Sequence, residues 1–201
     1  MPSHAFRSTA RRAFALSTVT ALTCTLALTA ANSASAAVVP DPVTTSAGDA
    51  ALTLTPLGSY ETDIFDASAA EIVQAYNERL FVVNAQAGVV DVLDASDPAA
   101  PTKLFSVASD GVANSVAIRE DGLGVIAIEA TDKTAPGQLV FFDADAATAD
   151  AATLGTVQVG TLPDMVTLSA DGTSAVVANE GEPADDFSSD PEGSIGVVAL
   201  P

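Results

Sequence analysis

Short apolar runs separated by polar turns dominate the chain from residue 71 onward. Within Leu162–Leu200, apolar runs at Met165–Leu168 and Ala175–Ala178 flank the turn dipeptide Asp171-Gly172, and a third run spans Ser194–Leu200. Apolar runs of about four to eight residues, separated by a turn that contains glycine, are typical of β-hairpins. The pattern therefore predicts three consecutive antiparallel strands in this segment.

Two earlier parts of the chain carry weaker copies of the same pattern. The first copy comprises Glu71–Ala85, Gly88–Asp94 and Thr102–Val107, and the second comprises Asn114–Ala130, Gln138–Asp143 and Thr153–Gly160. Val73, Val116 and Val166 take equivalent places, at spacings of 43 and 50 residues. Repeats of this length with four short strands each are typical of propeller blades. We therefore predict an all-β fold, a partial β-propeller of about three four-stranded antiparallel blades, with a compact sandwich of the same strands as the alternative.

The third copy ends after its third strand, at Leu200-Pro201. Because a propeller closes with about 4 to 8 blades, we expect the chain to be the N-terminal piece of a longer protein. Ala51–Tyr60 alternates apolar and polar residues and predicts one further strand, which Pro56 would confine to an edge. The expected domain organisation is a signal peptide at 1–36, a flexible tail at 37–50 and the propeller portion at 51–201.

The first 36 residues have the order of features that export signals share. Arg7, Arg11 and Arg12 precede the uncharged apolar run Ala13–Ala30, and the small residues of Ser33–Ala37 follow it. This order predicts a secretory signal peptide, and hence a secreted, extracellular or cell-surface protein with no membrane span in its mature chain. Export through Sec is expected, and the paired arginines make a twin-arginine (Tat) route the alternative.

Removal of the leader changes the chemistry that the chain can offer. It takes away the only histidine, His4, and the only cysteine, Cys24, and leaves four basic residues against 26 acidic ones, a net charge of −22. Such a charge excludes a nucleic-acid partner, because phosphate binding depends on Lys and Arg. Ser-His, Cys-His and ordinary zinc catalysis all need residues that the mature chain lacks. We expect a non-catalytic module that binds an unknown protein or carbohydrate of the cell envelope.

Carboxylates concentrate between Asn179 and Gly193, where Gly and Pro turn the backbone. The candidate metal ligands are Glu180, Glu182, Asp185, Asp186 and Asp190. Clustered carboxylate oxygens suit calcium, the one cofactor that the sequence suggests, although the spacing differs from that of an EF-hand loop. A solvated acidic loop is the alternative. Asn84 and Glu129 align with Asn179 at the ends of the equivalent second strands, so we expect these three residues on one face of the fold.

Several motifs of the first and third copies belong together. They are A-E-I-V at 70–73, R-L-F-V-V-N-A-Q-A-G-V-V-D-V-L-D at 79–94, S-D-P at 96–98, L-P-D-M-V-T-L-S-A-D-G at 162–172, V-A-N-E-G-E-P at 177–183 and D-P-E-G-S-I at 190–195. This set resembles the choice-of-anchor I family of secreted bacterial proteins, which is related in pattern to mesenchyme-specific cell surface glycoproteins. The chain departs from the family in a short turn at Tyr76–Arg79 and in lacking the C-terminal half.

The resemblance has consequences for both fold and function. It implies a YVTN/WD40-like propeller, usually followed by a surface anchor or by further domains, some of them phosphatase-like or esterase-like. An alternative function follows from those further domains. The chain would then be the N-terminal part of a secreted, phosphatase-like hydrolase whose catalytic residues lie beyond residue 201.

Overall fold

The computed structural model describes residues 47–201, except residues 53, 65, 68 and 109. The expected signal peptide at 1–36, and residues 37–46 of the expected tail, lie outside the described residues. The described chain is almost entirely β-structure, with one short helix, α1 (Ala149–Ala152). The strands are β1 (Ala70–Tyr76), β2 (Arg79–Asn84), β3 (Val89–Asp94), β4 (Thr102–Val107), β5 (Val112–Ile118), β6 (Leu123–Glu129), β7 (Pro136–Asp143), β8 (Thr153–Thr161), β9 (Pro163–Leu168), β10 (Ser174–Asn179) and β11 (Ser194–Ala199).

The strands form three separate antiparallel sheets, in which each strand pairs with the next along the chain. Sheet 1 has the order β1-β2-β3-β4, sheet 2 the order β5-β6-β7-β8, and sheet 3 the order β9-β10-β11. The all-β fold class and the strand counts of the three copies are thus confirmed. None of the described sheets closes on itself.

The strand register shows that the three copies have equivalent positions. The first two strands of the sheets pair Val73 with Val82, Val116 with Ile126, and Val166 with Val177. In the third strand of each sheet, the residue paired with the second-strand residue is Asp91 opposite Val82, Val140 opposite Ile126, and Gly196 opposite Val177. The valines at the 43- and 50-residue spacings therefore occupy the same structural position in each sheet.

Sheet 2 lies between two hydrophobic cores, because alternate residues of a strand point to opposite faces. The core shared with sheet 1 includes Phe81, Val83, Val90, Val92, Val116, Ile126, Ile128, Val140 and Phe142. The core shared with sheet 3 includes Val125, Ala127, Leu139, Val166, Ala175 and Val177. Burial on both faces explains why β6 is a continuous apolar run and not an alternating one.

The sheets meet through their first strands. β5 lies against β1 and β2 of sheet 1, and β9 lies against β5 and β6 of sheet 2. A buried side chain connects the second pair, because the Ser115 hydroxyl accepts a hydrogen bond from the backbone N–H of Val166 at 3.3 Å. Sheet 3 therefore packs on sheet 2 in the same way as sheet 2 packs on sheet 1.

The strand predicted at Ala51–Tyr60 is wrong for the residues of this segment that the structure describes. They have no strand pairing, and Leu52, Leu54 and Leu57 are exposed. The alternation of apolar and polar residues is therefore not sufficient here, because a strand also needs a neighbour for its backbone hydrogen bonds. At Gly58 the segment packs against the loop that follows β3, because a Cβ at this glycine would overlap the backbone of Pro98 and Ala99.

Candidate functional site

A cavity of about 540 Å³ lies on the face of sheet 1 that is turned away from sheet 2. We call it the outer-face cavity. Its sheet wall is mostly apolar, and its other walls come from the segment 58–62 and from the loop that follows β3. Its apolar lining includes Val73, Leu80, Val82 and Leu93. The cavity has the size and the mainly apolar lining that are common in ligand sites.

A buried carboxylate, Asp91, lies in the sheet wall of this cavity and is 3% exposed. Its Oδ1 accepts a hydrogen bond from the Ser106 hydroxyl at 2.7 Å and lies 2.8 Å from Lys103 Nζ. Its Oδ2 accepts one hydrogen bond, from Asn84 Nδ2 at 3.0 Å. A buried charge is costly unless it is paired, so these three donors are what permits Asp91 at this position.

The ionisation of Asp91 follows from the same contacts. Burial by itself would raise its pKa, because desolvation disfavours the charged form. The hydrogen bonds from Lys103, Asn84 and Ser106, together with the charge of Lys103, outweigh burial and hold the pKa of Asp91 below its usual range. The carboxylate is therefore fully ionised at neutral pH.

The position of Asp91 has no polar counterpart in the other two sheets. Val140 takes the equivalent place in sheet 2, and Gly196 takes it in sheet 3. Both of those positions face a neighbouring sheet across an apolar core. A charged residue at a position where the other copies have apolar or small residues marks the outer face of sheet 1 as chemically different.

Asp91 is not among the site residues predicted from the sequence. A signal for it was present, because this aspartate interrupts an apolar run, V-V-D-V-L, inside a predicted strand. A carboxylate between apolar neighbours in a short strand has to point to one of the two sheet faces, and here that face is covered. The sequence could not show the three donors that surround it, since all three come from the neighbouring strands β2 and β4.

All four basic side chains of the described residues already have partners. Arg79 donates to the carbonyl oxygens of Ala144 and Ala146, Lys103 pairs with Asp91, Arg119 pairs with Asp121 at 2.8 Å, and Lys133 pairs with Asp185 at 2.7 Å. Once residues 1–36 are set aside, these four basic residues stand against 26 acidic ones, a net charge of −22. The described surface therefore offers anionic groups much more readily than cationic ones.

The predicted calcium ligands lie in the exposed loop between β10 and β11. All five are exposed, and they are Glu180, Glu182, Asp185, Asp186 and Asp190. Lys133 reaches into this acidic loop, with its Nζ 2.7 Å from Asp185 Oδ1 and 3.9 Å from Glu182 Oε2. The hydrogen bond from Lys133 lowers the pKa of Asp185.

No group of three or more His, Cys, Asp or Glu side chains in the described part of the chain is arranged to hold a metal ion. Asp186 instead accepts a hydrogen bond from the backbone N–H of Ser188 at 3.0 Å. Calcium binding by the acidic loop stays a prediction.

Asn84, Glu129 and Asn179 are each the last residue of the second strand of their sheet, as predicted, but the register places Glu129 one residue beyond the position of the two asparagines. The strand register places Asn84 two residues beyond Val82 and Asn179 two residues beyond Val177, and the matching residue of sheet 2 is Ile128. The sequence alignment was one residue off because the β9–β10 hairpin is one residue longer than the β5–β6 hairpin. Asn179 is 4% exposed and its Oδ1 has no partner among the described residues.

Within the described residues, no helix is both long and apolar enough to span a membrane. The structure and sequence define an all-β protein of repeated antiparallel sheets. The chain belongs to the choice-of-anchor I domain family, whose model matches residues 71–201. The resemblance drawn from the motifs is thus confirmed.

Two further comparisons add little to this assignment. A search of curated proteins found no match. The chain is similar to a crystal structure of a functionally unknown protein from Desulfotomaculum acetoxidans DSM 771, with 13% sequence identity and a TM-score of 0.45. The similarity covers 72% of this chain and 44% of that one, so this chain spans less than half the length of that structure.

Proposed function

We propose that this chain is a secreted or cell-surface binding module, built as a β-propeller and non-catalytic in residues 37–201. Its partner is a protein or carbohydrate of the cell envelope. The choice-of-anchor I domain by its name points to attachment at a surface, which supports this location. The leader-like order of residues 1–36 supports export.

The propeller arrangement is supported by the way the sheets meet. The first strand of sheet 2 lies against the first two strands of sheet 1, and the first strand of sheet 3 repeats this relation to sheet 2. Blades that surround a common axis through their first strands would have this geometry. The antiparallel order of strands in each sheet also agrees with it.

The outer-face cavity is the observation that carries the binding function. It combines apolar walls with a few fixed polar groups, Asn84 and Asp91, and it lies outside the two hydrophobic cores. Sites of this composition bind ligands, because the apolar walls provide affinity and the polar groups fix orientation. Val73 is the residue to change, since it lines the cavity and is 55% exposed.

The test is saturable binding of the full-length protein to isolated cell-envelope fractions. We expect Val73→Trp, which fills the cavity, to weaken binding about tenfold or more, because it removes the apolar contact area. Leu104→Trp is the matched control, since Leu104 is an exposed strand residue of the same sheet outside the cavity. Protease treatment of the fractions abolishes binding to a protein partner, and periodate oxidation abolishes binding to a carbohydrate. Absence of saturable binding at any salt concentration contradicts the proposal.

A further inference from the structure

We propose that the acidic loop, residues 180–193, binds a partner protein by placing Phe187 in an apolar patch that lysine or arginine side chains surround. This inference rests on the binding function proposed above, names the partner as a protein and adds a surface separate from the outer-face cavity. The observations that carry it are an exposed aromatic side chain, its place at the ends of strands, a loop fixed by its own contacts, and uncompensated carboxylates beside the ring.

Phe187 is the only strongly exposed aromatic residue in the described part of the chain. It is 81% exposed, whereas Phe81 and Phe142 are buried. The other exposed large apolar residues lie in strands or in the segment before sheet 1, where a neighbouring strand or sheet can cover them. Phe187 lies in a loop, so sheet packing does not explain it. Aromatic side chains are enriched where proteins contact one another.

The acidic loop lies at the ends of β10 and β11 and not on the face of a sheet. Its ion pair is with sheet 2, because Lys133 comes from the loop between β6 and β7 and its Nζ lies 2.7 Å from Asp185 Oδ1. The sheets of this chain pack on one another through their strands. A further sheet on the open face of sheet 3 would therefore cover Ile195 and Val197 and leave Phe187 accessible.

Contacts within the loop fix the backbone that carries Phe187. The N–H of Phe187 donates to the carbonyl oxygen of Ala184 at 2.9 Å, and the N–H of Ala184 donates to that of Ser189 at 2.9 Å. The two ends of the loop touch, since a Cβ at Gly181 would overlap the carbonyl oxygen of Pro191. Phe187 has a φ of 57°, a conformation that glycine adopts at lower cost. A loop fixed in advance loses less entropy on binding, which favours affinity.

The carboxylates beside Phe187 determine the charge of the partner. Lys133 neutralises Asp185, but Asp186 and Asp190 are exposed and neither pairs with a basic side chain of the described residues. Asp186 accepts a backbone N–H from Ser188, which does not cancel its charge. An aromatic side chain within a polar rim is typical of the residues that dominate a protein interface. The negative rim attracts lysine and arginine and repels a second copy of this acidic chain.

The experiment is a fluorescence anisotropy titration of the full chain, in EDTA, with two labelled peptides. The first consists of two copies of Leu-Lys-Lys-Leu-Leu-Lys-Leu, which as a helix presents an apolar stripe flanked by lysines. The second has serine in place of each leucine and therefore the same charge. We expect the first peptide to bind about tenfold more tightly or better, because only it can cover the ring of Phe187.

Variants of the loop separate the aromatic contribution from the charge. Phe187→Ala should reduce binding of the leucine peptide to the level of the serine peptide and leave the serine peptide unchanged. Asp186→Asn with Asp190→Asn should weaken binding of both peptides severalfold, because both peptides are cationic. All three substituted positions are exposed, so the variants should unfold in urea as the parent chain does.

Matched controls lie outside the loop. Leu154→Ala changes an apolar residue of β8 that is 60% exposed, and Glu78→Gln with Glu120→Gln removes two exposed carboxylates from the β1–β2 and β5–β6 turns. Both control chains should bind the peptides as the parent chain does. Equal affinity of the parent chain for the two peptides, an unchanged affinity in Phe187→Ala, or equal losses in the controls overturns the inference.

Other classes of partner give different results. Phe187-dependent binding to phosphatidylcholine vesicles would assign the loop to a lipid surface, and Phe187-dependent envelope binding that periodate abolishes would assign it to a carbohydrate. Either result overturns the inference. The peptide titration uses no envelope material, so its failure leaves standing an envelope binding that Val73→Trp weakens.

Discussion

Asp91 is the only carboxylate that the fold buries among the described residues. We expect Asp91→Ala to lower the free energy of unfolding by about 1 to 3 kcal/mol, because it leaves the donors of Asn84 and Ser106 without their acceptor. Lys103 is partly exposed and can turn to water, which keeps the loss below that of a fully buried ion pair. Urea unfolding measures the difference, with the exposed Asp190→Ala as the control. A loss equal to that of the control would contradict the role assigned to Asp91.

The pH dependence of the same site has a defined sign. The pKa of Asp91 is below its usual value in the folded protein, so its ionisation contributes stability that is present above the unfolded pKa, about 3.9. That contribution is lost as pH falls through the lowered folded pKa. The stability difference between the parent chain and Asp91→Asn should therefore be constant near neutral pH and shrink only in acid. Unfolding measured in urea at a series of pH values tests this, and a difference that grows in acid would refute it.

Asp171, in the β9–β10 turn, provides a second titration that can be measured directly. Its carboxylate accepts hydrogen bonds from the Ser169 hydroxyl at 2.6 Å and from the backbone N–H and hydroxyl of Thr173, and these lower its pKa to about 2. We expect the side-chain carboxyl resonance to titrate near this value in an acid NMR series. In Ser169→Ala the midpoint should rise toward the usual value, because the first of these hydrogen bonds is lost. An unchanged midpoint in that variant would show that the serine does not set the pKa.

At the scale of elements, the hairpins were predictable and the isolated strand was not. Turn dipeptides such as Asp171-Gly172 and apolar runs on either side specify a local structure, and the β9–β10 hairpin has it. Ala51–Tyr60 has a comparable alternation, but pairing with another strand is a property of the fold and not of the segment. The equivalence of Val73, Val116 and Val166 was also predictable, whereas the one-residue difference between hairpins that displaces Glu129 was not.

β6 contains Gly124, at a position where packing leaves no room for a side chain. A Cβ at Gly124 would overlap the ring of Phe142, which is fully buried between sheets 1 and 2. We expect Gly124→Val to lower the free energy of unfolding by about 1 to 3 kcal/mol through overpacking. Gly155 in β8 is the matched control, since a Cβ there would meet open space. Thermal or urea unfolding measures the loss of stability when valine replaces each glycine. Equal losses at the two positions would contradict the packing argument.

The acidic loop permits a sharp test of the calcium prediction. Its carboxylates repel one another, and Lys133 provides a single positive charge to Glu182 and Asp185. Calcium that replaces this lysine would stabilise the fold by about 2.7 kcal/mol at a hundredfold excess over its dissociation constant. We therefore expect a higher melting midpoint in millimolar calcium than in EDTA.

Magnesium at equal ionic strength is the control for that melt, because screening alone raises the midpoint equally for both ions. Glu180→Gln and Asp185→Asn should abolish the difference between the two ions. If calcium and magnesium give the same midpoint and neither substitution changes it, the loop is only surface charge.

At the scale of the whole molecule, the sequence predicted the number of sheets and their internal order but not the chemistry of their outer faces. Val73 is 55% exposed, whereas its equivalents Val116 and Val166 are each 1% exposed. Repeats share a pattern of apolar residues, and the pattern does not tell which copies a neighbouring sheet covers. The outer-face cavity was unpredictable for the same reason, since it needs the segment 58–62 and the loop after β3 to meet over sheet 1.

The outer face of sheet 3 leads to a prediction for the protein in solution. Ile195 and Val197 are 69% and 67% exposed there, although Leu139, at the position of sheet 2 that matches Ile195, is fully buried. Exposed apolar faces and unpaired strand edges favour association, so we expect residues 37–201 expressed alone to associate reversibly as their concentration rises. Sedimentation velocity over a range of concentrations measures this.

Substitutions on the sheet 3 face identify the surface responsible. Ile195→Lys with Val197→Lys should weaken association about tenfold or more, because two charges replace apolar contact area on the face. Leu154→Lys is the matched control, since Leu154 is 60% exposed on a strand of sheet 2. Equal weakening by the control would assign the effect to charge alone. If the protein is a monomer at every concentration and melts in one sharp, cooperative transition, the association prediction is wrong. The sheet 3 face then does not bind a second copy of the chain.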